Sequence, residues 1–265
     1  MRILLLSDIH GNRAALDAIQ EPFDVCLCLG DVIEYGPDLV PCLNWVRRNA
    51  AHTIRGNHDH GAAQNVEVQG VAGFKYLTMV TRQATIQQLT SEDRRYLADL
   101  PTSLMVNFGG KRFLLVHASP RDPLDEYVPT DPQAWAARTA GLDVDFVCVG
   151  HTHMQFAMQV GRLTVVNPGS IGLQRDGDPR AKYAIIEDGQ ITLKQVAYDV
   201  DRTIEAVRQQ SIEPKAIQML TDVYRMGRFS AADATAGKVA ASNGHHANGA
   251  DKPRATPSIR QPNPR

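Results

Sequence analysis

The sequence predicts an α/β fold in which two β-sheets pack face to face with helices on their outer sides. In the first half of the chain, short apolar runs alternate with helical patterns, as in a mostly parallel sheet covered by helices. In the second half, apolar runs follow one another across glycine turns, as in antiparallel hairpins. Two packed sheets accommodate both patterns.

The first half is predicted to run strand, helix, strand, helix, strand. Ala15, Leu16 and Ile19 share one face of the first helix, and a Gly36-Pro37-Asp38 turn precedes the second. Residues 61–100 have mainly helical patterning, with a capping box at residues 90–93. The predicted strands cover residues 3–6, 25–29 and 52–55, and the predicted helices cover residues 12–20 and 39–48.

The second half is predicted to be rich in strands. Residues 103–108 and 111–117 flank a Gly109-Gly110 turn and predict one hairpin, and an Asp188-Gly189 turn predicts another. One or two terminal helices follow at residues 200–224, with a break at Pro214. The remaining predicted strands cover residues 146–149, 163–166, 183–187 and 191–197.

The domain prediction places one domain at residues 1–228, including C-terminal helices at about 200–226, and a disordered tail at 229–265. Alanine, serine, glycine, asparagine, proline and charged residues dominate the tail, with Phe229 as its only aromatic residue. Such a segment buries too little apolar surface to offset its ordering entropy. The pair His245-His246 lies in this tail and is not predicted to be a specific metal site.

Composition narrows the functional class. The 265-residue chain has a formal net charge of −1, so it lacks the overall positive field that attracts nucleic acid or anionic membranes. No apolar run reaches the roughly 18 residues of a membrane span. Cys26, Cys28, Cys42 and Cys148 form no CxxC pair and are predicted to be reduced, mostly buried thiols. We therefore expect a cytoplasmic protein with no membrane or specific nucleic-acid partner, and the oligomeric state stays open.

Five short motifs place metal-ligating residue types directly after apolar strands. The strand ends of an α/β sheet open onto a crevice where ligands bind, so five strand ends can deliver side chains to one pocket. Five of the nine histidines in the chain fall in these motifs, a clustering that chance does not readily produce. The motifs are Asp8-Ile9-His10-Gly11-Asn12, Gly30-Asp31, Gly56-Asn57-His58-Asp59, His117 and Gly150-His151-Thr152-His153.

The donor types in these motifs predict transition-metal binding. Imidazole, carboxylate and amide oxygen together suit manganese, iron, zinc, cobalt or nickel, whereas magnesium favours more oxygen ligands. One carboxylate can bridge two cations, the arrangement that two-metal phosphoryl hydrolysis uses.

The ordered set of motifs resembles that of the calcineurin-like metallophosphoesterase superfamily. The match covers roughly residues 1–200, and residues 6–12, 30–37 and 167–170 are most similar to the compact bacterial and archaeal YfcE-like branch. The resemblance implies a four-layer αββα sandwich of two mixed β-sheets flanked by helices. It also implies a divalent-metal-dependent phosphodiesterase or phosphatase that hydrolyses a small phosphoester with a metal-bridging water or hydroxide.

The resemblance further implies a role for each residue of the motifs. Two divalent ions are expected per chain, manganese before iron, nickel, cobalt or zinc. His58 is expected to contact the phosphoryl group and to protonate the leaving oxygen, with Asp59 orienting it. The implied ligands are Asp8, His10 and His153 for the first ion, Asn57, His117 and His151 for the second, and Asp31 as the bridge.

The sequence leaves alternatives open for the residues that would bind substrate. Arg55 is predicted either to clamp phosphate or to face solvent at a strand end, and Asn12 either to contact substrate or to cap the following helix. Tyr35 and His60 lie near motifs and either line the pocket or are structural. Residues 61–80 and 119–131 are the candidate pocket walls, since they carry no metal motif of their own.

Departures from related patterns narrow the subfamily. Ser/Thr protein phosphatases carry Gly-Asp-x-x-Asp-Arg-Gly at the second motif, whereas Glu34-Tyr35-Gly36 ends the motif here. Purple acid phosphatases place a tyrosine ligand where Glu34 stands. A dinucleoside polyphosphate hydrolase or a protein phosphatase stays an alternative. A non-catalytic metal-binding scaffold is disfavoured, because His58 and every ligand type are retained.

Overall fold

The computed structural model describes residues 1–230. The predicted tail therefore lies outside the described residues, apart from residues 229 and 230, and so does the His245-His246 pair. Ten strands and eight helices occur in the described part. They are β1 (Arg2–Leu6), α1 (Arg13–Asp17), β2 (Val25–Cys28), α2 (Leu39–Asn49), β3 (His52–Thr53), α3 (Asn57–Ala63), α4 (Gly73–Gln88), α5 (Ser91–Asp99), β4 (Ser103–Phe108), β5 (Lys111–Val116), α6 (Pro132–Thr139), β6 (Phe146–Cys148), β7 (Phe156–Val160), β8 (Leu163–Asn167), β9 (Ala181–Glu187), β10 (Gln190–Val196), α7 (Val200–Arg208) and α8 (Pro214–Met226).

Two five-stranded mixed sheets form the centre of the molecule. The first has the order β10-β9-β1-β2-β3, with β1, β2 and β3 parallel and β9 antiparallel to both of its neighbours. The second has the order β4-β5-β6-β8-β7, with β5, β6 and β8 parallel and an antiparallel strand at each edge. The predicted parallel pairing of the first three strands and both predicted hairpins are confirmed.

Strand periodicity builds the layers, because successive side chains of a strand point to opposite faces. On β1, Ile3 and Leu5 belong to the core between the sheets, which Phe113, Leu115 and Phe146 fill from the second sheet. Leu4 and Leu6 point to the other face, where α1, α2 and α5 cover the first sheet. Trp135 of α6 covers the outer face of the second sheet. The predicted four-layer αββα sandwich is confirmed.

A separate helical cluster packs against the loops that follow β2 and β8. Buried residues of α4, α7 and α8 pack with Tyr35 and Leu173, which come from two loops. Phe229 is partly buried against this cluster, with its ring centroid 4.3 Å from that of Phe74. The cluster joins the C-terminal helices to the loops that surround the site.

Several local predictions are confirmed, and two elements were not predicted. Thr90 and Asp93 form the predicted capping box at the start of α5, and Pro214 begins α8 rather than interrupting a longer helix. Helix α6 and strand β7 are the unpredicted elements. All four cysteines are buried and free. Among residues 1–230, no helix has the length and apolar character needed to cross a bilayer.

Candidate metal centre and active site

The predicted motifs converge at one edge of the two sheets. Asp8 and Asp31 follow the ends of the parallel strands β1 and β2, and His117 and His151 follow β5 and β6 of the second sheet. Asn57 is the first residue of α3. The core holds the two sheets together, so the loops from both sheets face one another.

Backbone conformation turns these side chains inward. Nine non-glycine residues in residues 1–230 have a positive φ, and five of them belong to the predicted ligand set. Residues with a side chain seldom adopt this conformation, which costs about 1–3 kcal/mol and clusters at functional sites. The five are Asp8, His10, Asp31, His151 and His153, with φ between 46° and 64°.

Asp8, His10 and His153 form the first group of metal-ligand atoms. One donor atom from each lies within 4.8 Å of the others. His153 Nε2 is 3.2 Å from Asp8 Oδ1 and 3.3 Å from His10 Nε2. All three side chains are buried. The three residues predicted for the first ion therefore lie together.

Asp31, His117 and His151 form a second such group, again within 4.8 Å. His117 Nε2 lies 3.1 Å from Asp31 Oδ2. Asn57 Oδ1 lies 3.2 Å from His117 Nε2 and 3.1 Å from His151 Nδ1. Gly56 allows this approach, because a Cβ there would lie 2.5 Å from the backbone nitrogen of Asp31.

Asp31 connects the two groups. Its Oδ2 lies 3.9 Å from His10 Nε2 on one side and 3.1 Å from His117 Nε2 on the other. This oxygen is buried without an aligned hydrogen-bond donor, as are Asp8 Oδ1 and His151 Nε2. A buried polar atom without a partner is costly unless something else satisfies it. Cations coordinated by these atoms would satisfy all three.

The histidine tautomers also fit metal binding. Nδ1 of His10 lies 3.0 Å from the Ile33 carbonyl, Nδ1 of His117 lies 2.7 Å from the Leu29 carbonyl, and Nδ1 of His153 contacts the Leu173 carbonyl. A carbonyl oxygen only accepts hydrogen bonds, so each Nδ1 carries the proton. Each Nε2 then presents its lone pair to the cluster, the orientation that metal-binding histidines show.

The electrostatics favour positive charge at the second group. Burial disfavours a charged imidazole, but the negative charge of the nearby Asp31 outweighs it and raises the pKa of His117 to about 9. Burial, with the charge of His117, lowers the pKa of His151 to about 3. The carboxylates thus attract one positive charge here, and a divalent cation supplies it without protonating a ligand.

His58 lies beside these groups and has a carboxylate partner of its own. Its Nδ1 contacts the carboxylate of Glu34, and its Nε2 is 3.4 Å from the Tyr35 hydroxyl and 4.0 Å from Asp31 Oδ2. Nε2 also lies within 4.8 Å of donor atoms on His10 and Asp31. Burial opposes its charge, but Asp31 and Glu34 outweigh burial and raise the pKa of His58. The Glu34 contact holds the ring with Nε2 towards the cleft.

The structure corrects the expected partner of His58. Asp59 was expected to orient His58, but its carboxylate accepts hydrogen bonds from the backbone amides of Asp31, Val32 and Gly56, at 2.8, 3.0 and 3.1 Å. Adjacent residues on a helix point in different directions, so Asp59 faces the Asp31 loop instead. Burial and the charge of Asp31 raise the pKa of Asp59 to about 6. Asp59 therefore shapes the loop that carries Asp31.

Comparison with known proteins identifies the family. The model of the calcineurin-like phosphoesterase superfamily domain matches residues 1–189, which is more than half of the chain. The chain belongs to the calcineurin-like phosphoesterase superfamily. This membership assigns it to a family of metal-dependent phosphoester hydrolases.

The relatives of this phosphoesterase confirm the predicted branch. It is 27% identical to an uncharacterized protein of Methanocaldococcus jannaschii over 228 residues, covering 77% of this chain and 91% of the relative. It is 25% identical to phosphodiesterase YfcE of Escherichia coli over 201 residues, covering 73% and 91%. A metallophosphoesterase structure from Sphaerobacter thermophilus is 28% identical with a TM-score of 0.71, covering 86% and 99%. A hypothetical protein from Pyrococcus horikoshii, 20% identical with a TM-score of 0.74 over the same shares, has the same fold.

The phosphoesterase uses Asn12 for structure rather than for substrate. Oδ1 of Asn12 accepts hydrogen bonds from the Ala15 amide and the Thr203 hydroxyl. Its Nδ2 donates to the Gly172 carbonyl and the Tyr198 hydroxyl. These contacts use both donors and two acceptor positions of a fully buried amide. The capping alternative for Asn12 is therefore confirmed, and its side-chain amide has no donor left over for a substrate.

Arg55 also has a structural contact. Its guanidinium donates to the Ala98 carbonyl near the end of α5 at 2.8 Å, and Arg55 does not line the cleft beside the metal groups. Neither alternative is confirmed, because the side chain is half-buried against α5 instead of facing solvent or the cleft.

A cleft of about 400 Å³ opens beside His58 and Asn57. Residues from 61–80 and 119–131 line it, as predicted, and so do Tyr35 and His60. Sequence reasoning missed two polar lining residues, Arg82 and Arg175. Arg82 pairs with the buried Glu34 carboxylate, and Arg175 belongs to the loop after β8. Tyr127, from the predicted 119–131 wall, stacks on His151 at 4.1 Å between ring centroids. The sequence offered one indication of Arg82, namely Glu34, an acidic residue three positions after Asp31 that would need a basic partner if buried.

Proposed function

We propose that this chain is a two-metal phosphodiesterase or phosphatase that hydrolyses a small phosphoester. The observation that carries the proposal is Asp31, whose buried Oδ2 lies 3.9 Å from His10 Nε2 of the first group and 3.1 Å from His117 Nε2 of the second. One carboxylate between two donor sets is the arrangement that two-metal phosphoryl hydrolysis requires.

The ligand assignments follow the two groups. Asp8, His10 and His153 would hold the first ion and Asn57, His117 and His151 the second, with Asp31 shared. Two such cations lower the pKa of a bound water and offset charge developing on the phosphoryl oxygens. The mixed imidazole, carboxylate and amide donors favour manganese, with iron, nickel, cobalt or zinc as alternatives.

His58 provides the acid of the reaction in this proposal. Its Nδ1 is engaged by Glu34, so Nε2 is the nitrogen that faces the cleft. Arg82 forms an ion pair with the other oxygen of the Glu34 carboxylate and so holds that carboxylate against His58. An Nε2 proton is therefore positioned for transfer to a leaving oxygen in the cleft.

The dimensions of the cleft support a small substrate. A volume of about 400 Å³ lies at the lower end of the range for small-molecule sites. Phe74, Val66 and Leu124 provide apolar lining around the polar groups. A cytoplasmic location and the absence of a specific nucleic-acid partner stay predictions.

Hydrolysis of bis-p-nitrophenyl phosphate and p-nitrophenyl phosphate by metal-stripped protein tests the proposal. Manganese, nickel, cobalt, zinc or magnesium is added back singly, and bound metal is counted by elemental analysis. We expect activity to rise with occupancy towards two ions per chain, with manganese among the activating metals. The ratio of diester to monoester turnover then separates phosphodiesterase from phosphatase. Full activity at one ion per chain, or none with two ions bound, would contradict the proposal.

A further inference from the structure

Arg175 carries a positive charge that has no carboxylate partner among residues 1–230. It lines the cleft beside the metal groups, and no ion pair within the described part of the chain involves it. Arg82, the other arginine of the cleft, is instead paired with Glu34. An unpaired guanidinium in a half-buried position is costly unless an anion meets it there.

Two aromatic residues hold the guanidinium in place. Its central carbon lies 4.0 Å from the ring centroid of Phe74, a cation–π distance. Arg175 Nη1 donates to the Tyr127 hydroxyl at 3.3 Å, while Nε is buried without a partner. Phe74 is in turn packed against Phe229. The side chain therefore has a defined orientation with hydrogen-bonding capacity left over.

The loop that carries Arg175 is bound directly to the metal loops. Ser170 Oγ donates to the Asp8 carbonyl at 2.8 Å and accepts from the Leu173 amide at 2.9 Å. The Leu173 carbonyl accepts the hydrogen bond of His153 Nδ1. Only Gln174 separates Leu173 from Arg175, so one short loop both fixes a proposed ligand and places the guanidinium.

Arg175 is also linked to the second group of ligand residues. Tyr127, which accepts the Arg175 hydrogen bond, stacks on His151 with ring centroids 4.1 Å apart. The guanidinium is thus held beside a proposed ligand of the second ion, in the lining of the cleft.

We propose that Arg175 binds the phosphoryl group of the substrate and favours phosphomonoesters over diesters. This inference rests on the proposed function and names a residue that sets its specificity. A guanidinium presents parallel N–H groups that match phosphoryl oxygens. A monoester dianion offers one more charge and one more free oxygen than a diester, so the guanidinium binds it more strongly.

Tyr127 and Phe74 orient Arg175 in this proposal and have no charge of their own to offer. Tyr127→Phe removes only the hydroxyl that accepts from Arg175, and its ring can still stack on His151. We therefore expect this variant to raise KM for the monoester less than Arg175→Gln does, and to change KM for the diester less than KM for the monoester.

The test compares Arg175→Gln and Arg175→Lys with wild type, using p-nitrophenyl phosphate and bis-p-nitrophenyl phosphate. Arg180→Gln is the matched control, because that arginine follows in the same loop and is exposed and paired with Asp178. Elemental analysis checks that each variant keeps its metal. Calorimetric titration of the metal-loaded proteins with inorganic phosphate measures anion binding without turnover.

We expect Arg175→Gln to raise KM for the monoester about 10- to 100-fold, the effect of one or two charged hydrogen bonds. The diester KM and kcat should change much less, and phosphate affinity should fall by the same factor as the monoester KM rises. Arg175→Lys should recover part of the loss, since it restores the charge but not the paired donors. Arg180→Gln should behave as wild type.

Two results would overturn the inference. One is unchanged phosphate affinity and monoester KM in Arg175→Gln. The other is an equal loss for both substrates accompanied by loss of metal, which would make Arg175 a structural support of the metal loops. Failure of the proposed function would give a different result from failure of this inference, because wild type would then hydrolyse neither ester. The phosphate titration would still decide the role of Arg175 in that case.

Discussion

The metal-binding loops and the wall of the cleft are built in different ways. Every proposed ligand lies within a few residues of a strand end or at the first turn of a helix. The wall instead combines residues from distant parts of the chain, with Tyr35, Arg82, Tyr127 and Arg175 contributed by four separate segments. The centre that binds cations is therefore local in sequence, whereas the surface that meets the rest of the substrate is assembled by tertiary packing.

This difference separates two kinds of mutational effect. Substitutions in the loops are expected to change metal content and activity together. Substitutions in the wall are expected to leave the metals in place and to change turnover or substrate preference. The following variants test that division in order of expected effect.

Asp31→Asn should cause the largest loss. One carboxylate serves both ligand groups, so replacing it by a neutral amide weakens both sites at once. We expect activity to fall more than about 10⁴-fold, beyond the contribution of a single general acid, and bound metal to fall with it. Elemental analysis and hydrolysis are measured on the same sample. Asp188→Asn is the control, since Asp188 is an exposed turn residue; retention of both ions by Asp31→Asn would contradict the bridging assignment.

His58→Ala should leave both metals bound and lower kcat about 10²- to 10⁴-fold, the usual contribution of a general acid. His52→Ala is the matched control, because His52 lies on β3 beside Phe108 and away from the cleft. A sharp drop in metal content of the His58 variant would show that His58 is a ligand.

Glu34→Gln extends this test to the residue that the sequence did not single out. If Glu34 acts by orienting His58, the substitution should lower kcat about 10- to 100-fold alone and have no further effect in the His58→Ala background. The substitution also leaves the buried Arg82 without its carboxylate partner, so the free energy of unfolding of the variant should fall by about 3–5 kcal/mol. The double variant Glu34→Gln/Arg82→Gln removes that unpaired charge and separates stability from turnover.

Asn12→Ala should change stability and leave catalysis unaffected. The amide caps α1 and makes three further buried hydrogen bonds, so we expect the free energy of unfolding to fall by about 1–3 kcal/mol. KM for either nitrophenyl ester should not change. Denaturant unfolding of this variant beside Asn107→Ala, an exposed change on β4, measures the difference. A raised KM would restore the substrate-binding role that the structure argues against.

Deletion of residues 231–265 should have the smallest effect. We propose residues 1–228 as the phosphoesterase unit, so truncation after Ser230 should leave kcat/KM unchanged and Tm within about 2 °C. Phe229→Ala is the informative companion, since it removes the ring packed on Phe74 and should lower stability by about 1 kcal/mol. A large loss on truncation would show that the tail contributes to the folded unit.

The errors in the sequence interpretation have a common cause. Asp59 was paired with His58 because the two are adjacent, yet neighbouring helical residues point apart and Glu34 makes the contact. Arg55 was considered for substrate binding because it adjoins a motif, whereas Arg175, which reaches the cleft through the loop that binds Asp8 and His153, was not considered. Proximity in sequence was a good guide for ligands at strand ends and a poor guide for side chains that act across the cleft.

By itself, the sequence determined the two-sheet fold and which residues gather at one edge of the sheets. Both depend on short-range patterns, namely the alternation of apolar residues along strands and the placement of ligating side chains at strand ends. Only the tertiary structure decided the partner of His58, the saturation of Asn12 and the position of Arg175. Those contacts join segments from 24 to more than 100 residues apart, and their geometry is set by the packing of whole elements and by positive-φ turns at Asp8, Asp31 and His151 that composition does not reveal.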